Sequence, residues 1–356
     1  FSASGLATGN KTRASFGQED YWVVKINANG VKQWDSIYGG TNEDLLRNIL
    51  PTADGGYLLG GTSISNSSGN KTRNSYGSYD YWVVKINANG TKQWDSIYGG
   101  TNSEDLKVII STSDGGYMFC GSSNSLASGN KTRSTFGSYD YWIVKINANG
   151  SKQWDSIYGG ANLDYSYSVV SANDGSYLIG GYSSSAVSGN KTTTSFGSND
   201  YWLVKIDANG TRLNEKGYGG TSIDNPYSII ATKDGGYLIG GYSQSGITGN
   251  KTTSSFGITD FWVVKVVPAP KITPVSVSRA VVCSPDSLTV FFDKDLCGSF
   301  KTGNKFYVQL SDSLGSFTTP FVLDSITSIV TPNSIIAQTP SGLTESATYQ
   351  IRIVSS

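Results

Sequence analysis

From Tyr21 to Ile26 apolar and polar side chains alternate with a period of two, the pattern of an extended strand. Trp22, Val24 and Ile26 share one face, and Tyr21, Val23 and Lys25 share the other. Asn27-Ala28-Asn29-Gly30 reads as a turn whose glycine suits positive φ. A second strand over residues 32–38 puts Trp34, Ser36 and Tyr38 on one face and stops at Gly39-Gly40. After a polar link, a third strand is predicted over 46–52. Asp54-Gly55-Gly56 is a hairpin signal, and a fourth strand covers 57–61. Gly60 and Gly61 inside that strand point to a bulge or a close backbone approach. Four short antiparallel strands in one such stretch are the mark of a propeller blade.

The pattern returns every 60 residues. Asp20 and Trp22 recur as Asp80 and Trp82, Asp140 and Trp142, Asp200 and Trp202, and Asp260 and Trp262, the structural anchors of the repeat. The Tyr-Trp strand occurs five times, the last as Asp-Phe-Trp. The Trp34-type strand occurs four times, in diverged form at Leu213-Asn214, and the Asp-Gly hairpin four times. These counts favour an all-β propeller of five four-stranded blades, closed by strands from opposite ends once roughly 20 upstream residues supply the missing first hairpin, with four blades as the alternative. An open solenoid is disfavoured, because its repeats are usually shorter and rarely hold two hairpins. The Ser-, Gly- and Asn-rich connection over 9–20 recurs at one unvarying length and is expected to be ordered.

Past Lys265 the period fades. The expected organisation is a propeller over 1–267 that opens in mid-repeat, a Pro-Ala-Pro linker over 268–270, and a small β-sandwich over 271–356. That sandwich stops straight after a strand that is expected to need a partner.

Charge and chemistry narrow the function more than they define it. Lys plus Arg and Asp plus Glu are 27 each, so no net field steers the chain to nucleic acid or an anionic membrane. No run of 18 apolar residues could form a membrane-spanning helix. There is no histidine, which removes the commonest general base and zinc ligand. Cys120 replaces a glycine of other repeats and reads as a small buried filler; whether Cys283 and Cys297 pair is open. No metal site and no cofactor is expected. The Asp20-type carboxylates read as turn caps that accept backbone N–H groups rather than as a ring of metal ligands. The Trp side chains read as filling between blades rather than as a sugar platform. Asn10-Lys11-Thr12 and its copies match an N-glycosylation pattern but read as structural turns. The loops that carry Lys11, Lys71, Lys131, Lys191 and Lys251 are the candidate ligand-facing surface, anchored by Phe16, Tyr76, Phe136, Phe196 and Phe256. Glu215 and Lys216, in the most diverged repeat, are the only acid and base that break the repeat in a way an active site would require.

The repeat resembles a family of secreted and surface proteins from Bacteroidetes. The residues that carry the likeness are Asp54-Gly55-Gly56-Tyr57, Asp80-Tyr81-Trp82-Val83-Val84-Lys85, Trp94 and Tyr98-Gly99-Gly100. Residues 310–317 and 349–356 likewise resemble an immunoglobulin-like module of the same group. The resemblance implies export through the type IX secretion system, with surface-anchoring machinery as a partner and a secreted or cell-surface location. It also implies O-glycosylation at Asp-Ser followed by an apolar residue, with Ser36, Ser96, Ser156, Ser287, Ser313 and Ser325 as acceptors. The expected function is non-enzymatic: adhesion or extracellular-polymer binding through repeated loops. A purely structural display component is the alternative, and a carboxylate-based polysaccharide enzyme a remote third.

Overall fold

The computed structural model describes residues 6–7, 9–267, 272–277, 287–294, 305–327, 334–341, 343 and 349–355. The chain divides into two compact units, Phe1–Ala231 with Leu238–Lys265, and Thr232–Tyr237 with Val266–Ser356. All described secondary structure is strand. Cys283, Cys297 and the 268–270 linker lie outside the described residues.

The first unit is a run of antiparallel sheets. Strands β1 (Tyr21–Ile26) and β2 (Lys32–Tyr38) form a two-stranded sheet. The next sheet takes β3 (Asp44–Pro51), β4 (Tyr57–Ser63), β5 (Asp80–Ile86) and β6 (Lys92–Tyr98) in that order. A third is built from β7 (Glu104–Ser111), β8 (Tyr117–Ser123), β9 (Asp140–Ile146) and β10 (Lys152–Tyr158). A fourth follows from β11 (Asp164–Ser171), β12 (Tyr177–Ser183), β13 (Asp200–Ile206) and β14 (Arg212–Tyr218). The last has β15 (Asp224–Ala231), β16 (Tyr237–Ser243) and β17 (Asp260–Val266). Each four-stranded sheet straddles a repeat boundary, because the long connection joins neighbouring strands of one sheet; Ser63 pairs with Asp80 across it. The first strand bulges between Leu46 and Asn48, and Gly61 sits opposite. A Cβ on Gly61 would stand 1.8 Å from the Leu45 carbonyl oxygen, so no larger residue fits without a shift.

Successive sheets pack face to face. Tyr81 and Val83 on β5 meet Trp142, Val144 and Ile146 on β9, and Tyr21 and Val23 meet Trp82, Val84 and Ile86 in the same way. The two faces predicted from alternation are thus the two sides of a sheet-to-sheet junction. Each tyrosine of the Tyr-Trp pair leans on the next sheet's tryptophan at 4.7–4.8 Å between centroids. Its hydroxyl donates to that tryptophan's carbonyl at 3.0–3.1 Å. Burying one such aromatic contributes roughly 2–3 kcal/mol.

The expected ring closure is not found. Closure would press the β17 face onto the β1 face, yet Phe261 is 97% and Val263 56% exposed, and Ile26 is 58% exposed. No ladder joins β17 to β1 among the described residues. The five sheets form a propeller-like, open series. Phe261 also lacks the hydroxyl that the other four repeats use to tie themselves to the next sheet.

In the second unit β18 (Ile272–Val277), β19 (Ser287–Lys294) and β22 (Ser334–Gln338) make one sheet. The strands β21 (Phe321–Thr327), β20 (Lys305–Leu310) and β23 (Ile351–Ser355) make another. Leu288, Val290, Ile335 and Ala337 of the first sheet share a core with Phe306, Val308 and Ile353 of the second, which makes a two-sheet sandwich. The last strand, expected to need a partner, has one: Leu310 pairs with Ile351.

Candidate functional site

The loops that carry the repeated lysines do not present them to a ligand. Lys11, Lys71, Lys131, Lys191 and Lys251 are all at most 6% exposed. The Lys71 amine donates to the Ser65 and Arg73 carbonyls, and Lys131 to those of Ser125 and Arg133, so each lysine holds its own loop shut. A charge this deep is tolerated because carbonyl oxygens replace its water. The rest of the tripeptide is equally occupied. Asn70 Nδ2 donates to the Ile37 carbonyl of the preceding sheet at 2.8 Å while its Oδ1 accepts from Gly39 N–H at 2.9 Å. Thr72 donates from both N–H and Oγ1 to Asp95 at 2.9 and 2.7 Å.

Asp95 is the aspartate of an Asp-Ser-Ile segment, and it also accepts from Lys92 at 2.7 Å and Trp82 Nε1 at 3.1 Å. Burial pushes its carboxyl up, but these hydrogen bonds outweigh that and hold it below its usual value. The neighbouring serines face the next sheet: Ser36 and Ser156 reach toward the Gly90 and Gly210 carbonyls at 3.4 and 3.3 Å, and Ser96 is half-buried. Of the other candidate acceptors Ser313 is half-buried, while Ser287 and Ser325 are exposed. The anchor aspartates cap their loops. Asp20, Asp80, Asp140, Asp200 and Asp260 accept from Phe16, Tyr76, Phe136, Phe196 and Phe256 N–H at 2.5–2.8 Å. The tryptophans Trp82, Trp142 and Trp202 are fully buried, Trp262 is nearly so, and Trp22 is half-buried on the open β1 face. Glu215 is buried and spent on Thr192, Thr193 and Arg212. Among the described residues no group of three or more Cys, Asp or Glu could hold a metal ion.

What breaks the repeat lies on the opening strands of the sheets. Their sequences are Asp44-Leu45-Leu46-Arg47, Glu104-Asp105-Leu106-Lys107, Asp164-Tyr165-Ser166-Tyr167 and Asp224-Asn225-Pro226-Tyr227. In space these variable residues are neighbours. Arg47 Nε lies 4.0 Å from Asp105 Oδ1, and Lys107 pairs with the same carboxylate at 2.5 Å. The Lys107 amine stands 5.6 Å over the Tyr167 ring. Tyr167 then meets Tyr227 edge-on at 5.4 Å, Tyr227 meets Tyr242 at 5.8 Å, and Tyr165 stacks on Tyr182 at 5.8 Å. Asn225 Nδ2 donates to the Tyr242 hydroxyl at 2.8 Å and fixes that ring. The result is one strip across four sheets, charged at one end and made of tyrosine at the other. Tyr227 is 55% exposed, and Tyr165, Tyr167, Tyr182 and Tyr242 are half-buried. Attention to repeated residues misses this strip; comparing the repeats with one another finds it, because their third strands differ most.

A second feature is an open groove of about 500 Å³ where the first sheet meets the second. Arg13, Phe16, Tyr38, Asn70, Asn89 and Thr91 are among the residues lining it. The sequence repeats the exposed arginine and aromatic as Arg73 with Tyr76 and Arg133 with Phe136, but carries Thr193 with Phe196 in the fourth repeat.

No family model and no curated protein matches the chain. Among solved structures it is similar to a variant of Synechocystis apocarotenoid oxygenase, at 11% identity and TM-score 0.35. That match covers 75% of this chain and 61% of the oxygenase. It is also similar to a fungal alcohol oxidase, at 13% identity and TM-score 0.29 over 85% of this chain and 67% of the oxidase. Likenesses this slight carry no argument about activity.

Proposed function

We propose that the protein is a non-enzymatic binding module for an extracellular glycan polymer, and that the tyrosine strip is its contact surface. The observation that carries this reading is the run of Tyr165, Tyr167 and Tyr227 where other repeats carry Leu45, Arg47, Asp105 or Lys107, joined by Tyr182 and Tyr242 where others carry Thr62 and Ser122. Tyrosine offers an apolar ring face to the C–H face of a sugar and a hydroxyl at its edge, at low entropic cost. A row of such rings suits an extended chain better than a compact ligand. The Arg13 groove, whose arginine and aromatic recur as Arg73 with Tyr76 and Arg133 with Phe136, adds a second set of contacts. Export, surface location and the type IX route follow from the family resemblance and belong to the same proposal, as does O-glycosylation at the exposed Ser287 and Ser325.

The test is affinity electrophoresis of the full chain through a panel of polysaccharides, with Tyr167→Ala/Tyr227→Ala beside the wild type. Loss of a hot-spot aromatic pair is expected to weaken binding by at least about tenfold, with thermal unfolding little changed. Binding that survives this change but falls with Arg73→Ala/Tyr76→Ala would move the site to the grooves. Absence of saturable binding to any polymer would leave the structural, display role.

A further inference from the structure

Wherever one sheet of the first unit meets the next, two carboxyl groups meet as well. Asp20 precedes β1 and Asp44 opens β3 of the following sheet; Asp80 with Glu104, Asp140 with Asp164, and Asp200 with Asp224 repeat the arrangement. The backbone is tied at the same place, with Asp44 N–H donating to the Glu19 carbonyl at 2.6 Å and Asp164 N–H to that of Tyr139 at 2.7 Å. Both carboxyls crowd one point. A Cβ on Gly39 would lie 1.7 Å from Asp20 Oδ1 and 2.9 Å from Asp44 Oδ2, and one on Gly99 would lie 1.7 Å from Asp80 Oδ1 and 2.6 Å from Glu104 Oε2. The first glycine of the Tyr-Gly-Gly segment leaves room for the pair.

Seven of these eight side chains are fully buried, and Asp200 is 4% exposed. Their outer oxygens are satisfied: Asp44 Oδ2 accepts from Gly40 N–H at 2.7 Å and from Ser65 Oγ at 3.0 Å. The inner Oδ1 atoms of Asp20, Asp44, Asp80, Asp140, Asp164, Asp200 and Asp224 have no donor. The bare Asp20 Oδ1 crowds Asp44 Oδ2, and the bare Asp80 Oδ1 crowds Glu104 Oε2. Two buried carboxylates brought together in this way repel, and one proton between them turns the repulsion into a hydrogen bond.

We propose that each of these junctions holds one proton shared by its two carboxyl groups, so that the sheet series is a set of acid-stabilised clasps. The surrounding charges fit a single proton. Lys11 faces Asp20, Lys71 faces Asp44 and Asp80, Lys131 faces Glu104 and Asp140, and Lys191 faces Asp164 and Asp200. Lys71, Lys131 and Lys191 also feel Asp95, Asp155 and Glu215, but each of those acids has a cation of its own in Lys92, Lys152 or Arg212. The buried hydroxyls of Tyr21, Tyr81, Tyr141 and Tyr201 lie close by as well, with Arg47, Asp105, Cys120, Tyr165, Tyr167, Tyr182 and Tyr242 around them. About one ammonium per junction balances one carboxylate, and the proton neutralises the other. Burial raises Asp80 to about 8 and Asp140 to about 7, with the facing carboxyl adding to the rise.

A carboxyl whose folded pKa is raised contributes stability below its unfolded pKa and loses it as pH climbs through the folded value. Thermal stability of the full chain should therefore fall from about pH 4 to about pH 8. Lys71 and Lys131, lowered by burial to about 8, bend the profile the other way above that range. In Asp80→Asn and Asp140→Asn the amide N–H stands in for the shared proton, and each variant should lose about one proton's worth of the slope. Asp260→Asn, in the last repeat, where no further sheet of the series follows, should keep the wild-type slope. An unchanged slope in both variants overturns the proposal. So does calcium raising the wild-type melting temperature at about pH 8 but not that of the variants, since the pair would then hold a cation. Should the variants fail to fold, infrared spectra of the wild type decide: a buried protonated-carboxyl band at neutral pH supports the clasp, and its absence refutes it.

Discussion

The third repeat and the fourth solve the same packing problem with different residues. Lys152, Trp154, Asp155 and Ser156 on β10 become Arg212, Asn214, Glu215 and Lys216 on β14. Residues whose partners lie in their own sheet are replaced by equivalents. Arg212 still pairs with Glu215 at 2.8 Å, as Lys152 does with Asp155 at 2.6 Å. Trp154 and Ser156, whose partners lie in the next sheet, are lost, whereas Tyr158, which donates to the Gly210 carbonyl there, persists as Tyr218. Trp154 donates to the Ala208 carbonyl and Ser156 faces Gly210, both in the turn before β14, while the last sheet has three strands and offers no such turn to β14. The substitution of Ile157 by Gly217 has no such explanation. The fourth repeat thus preserves the ion pair it uses within its own sheet and sheds two of the side chains, Trp154 and Ser156, that the third uses across a junction. The exchange is imperfect: Trp142 Nε1 donates to Asp155 at 3.0 Å, whereas Trp202 Nε1 is buried without a partner beside Glu215.

The contrast between inner junctions and the end of the series can be broken most forcefully at a buried ring. Trp142→Ala should cost about 3–5 kcal/mol in urea unfolding, and Phe261→Ala, at the exposed end, within about 0.5 kcal/mol. Comparable losses would mean that the end face is covered in solution. Asp155→Ala comes next, with an expected loss of about 3 kcal/mol, because it strands a half-buried lysine and a buried indole N–H. Asp95 and Asp155 are held below their usual pKa against the opposing effect of burial, so their contribution is present above the unfolded pKa and fades as pH falls through the folded value. Acid unfolding of Asp155→Asn should lack part of that arm. In the opposite direction, Glu215→Asp should return a partner to Trp202 Nε1 and gain about 1 kcal/mol. The smallest pair tests the hydroxyl tether: Tyr141→Phe should lose about 1 kcal/mol, and Phe261→Tyr should change stability by less than about 0.5 kcal/mol.

Much of the local structure is legible in the residues. Alternation over Tyr21–Ile26 assigns both faces correctly, because a strand has a period of two and each face has its own neighbour. The Asp54-Gly55 turn and the bulge opposite Gly61 are visible for the same local reason. The repeated lysines mislead, because a long cationic side chain in a polar loop reads as solvent-facing until the loop's carbonyls are seen to surround it. Asp44, Glu104, Asp164 and Asp224 pass unnoticed as partners of the anchor aspartates, because each pair joins different sheets, 24 positions apart in the chain.

By itself the sequence determined the strands, their turns, the 60-residue period and the change of character after Lys265, all of which rest on contacts between near neighbours along the chain. Only the tertiary structure decided that the first and last described sheets do not meet, that the lysines point inward, that carboxyls come together at each junction and that the tyrosines of separate repeats form one strip. Those features depend on which face of one sheet meets which face of the next, and on whether a next sheet exists to meet it.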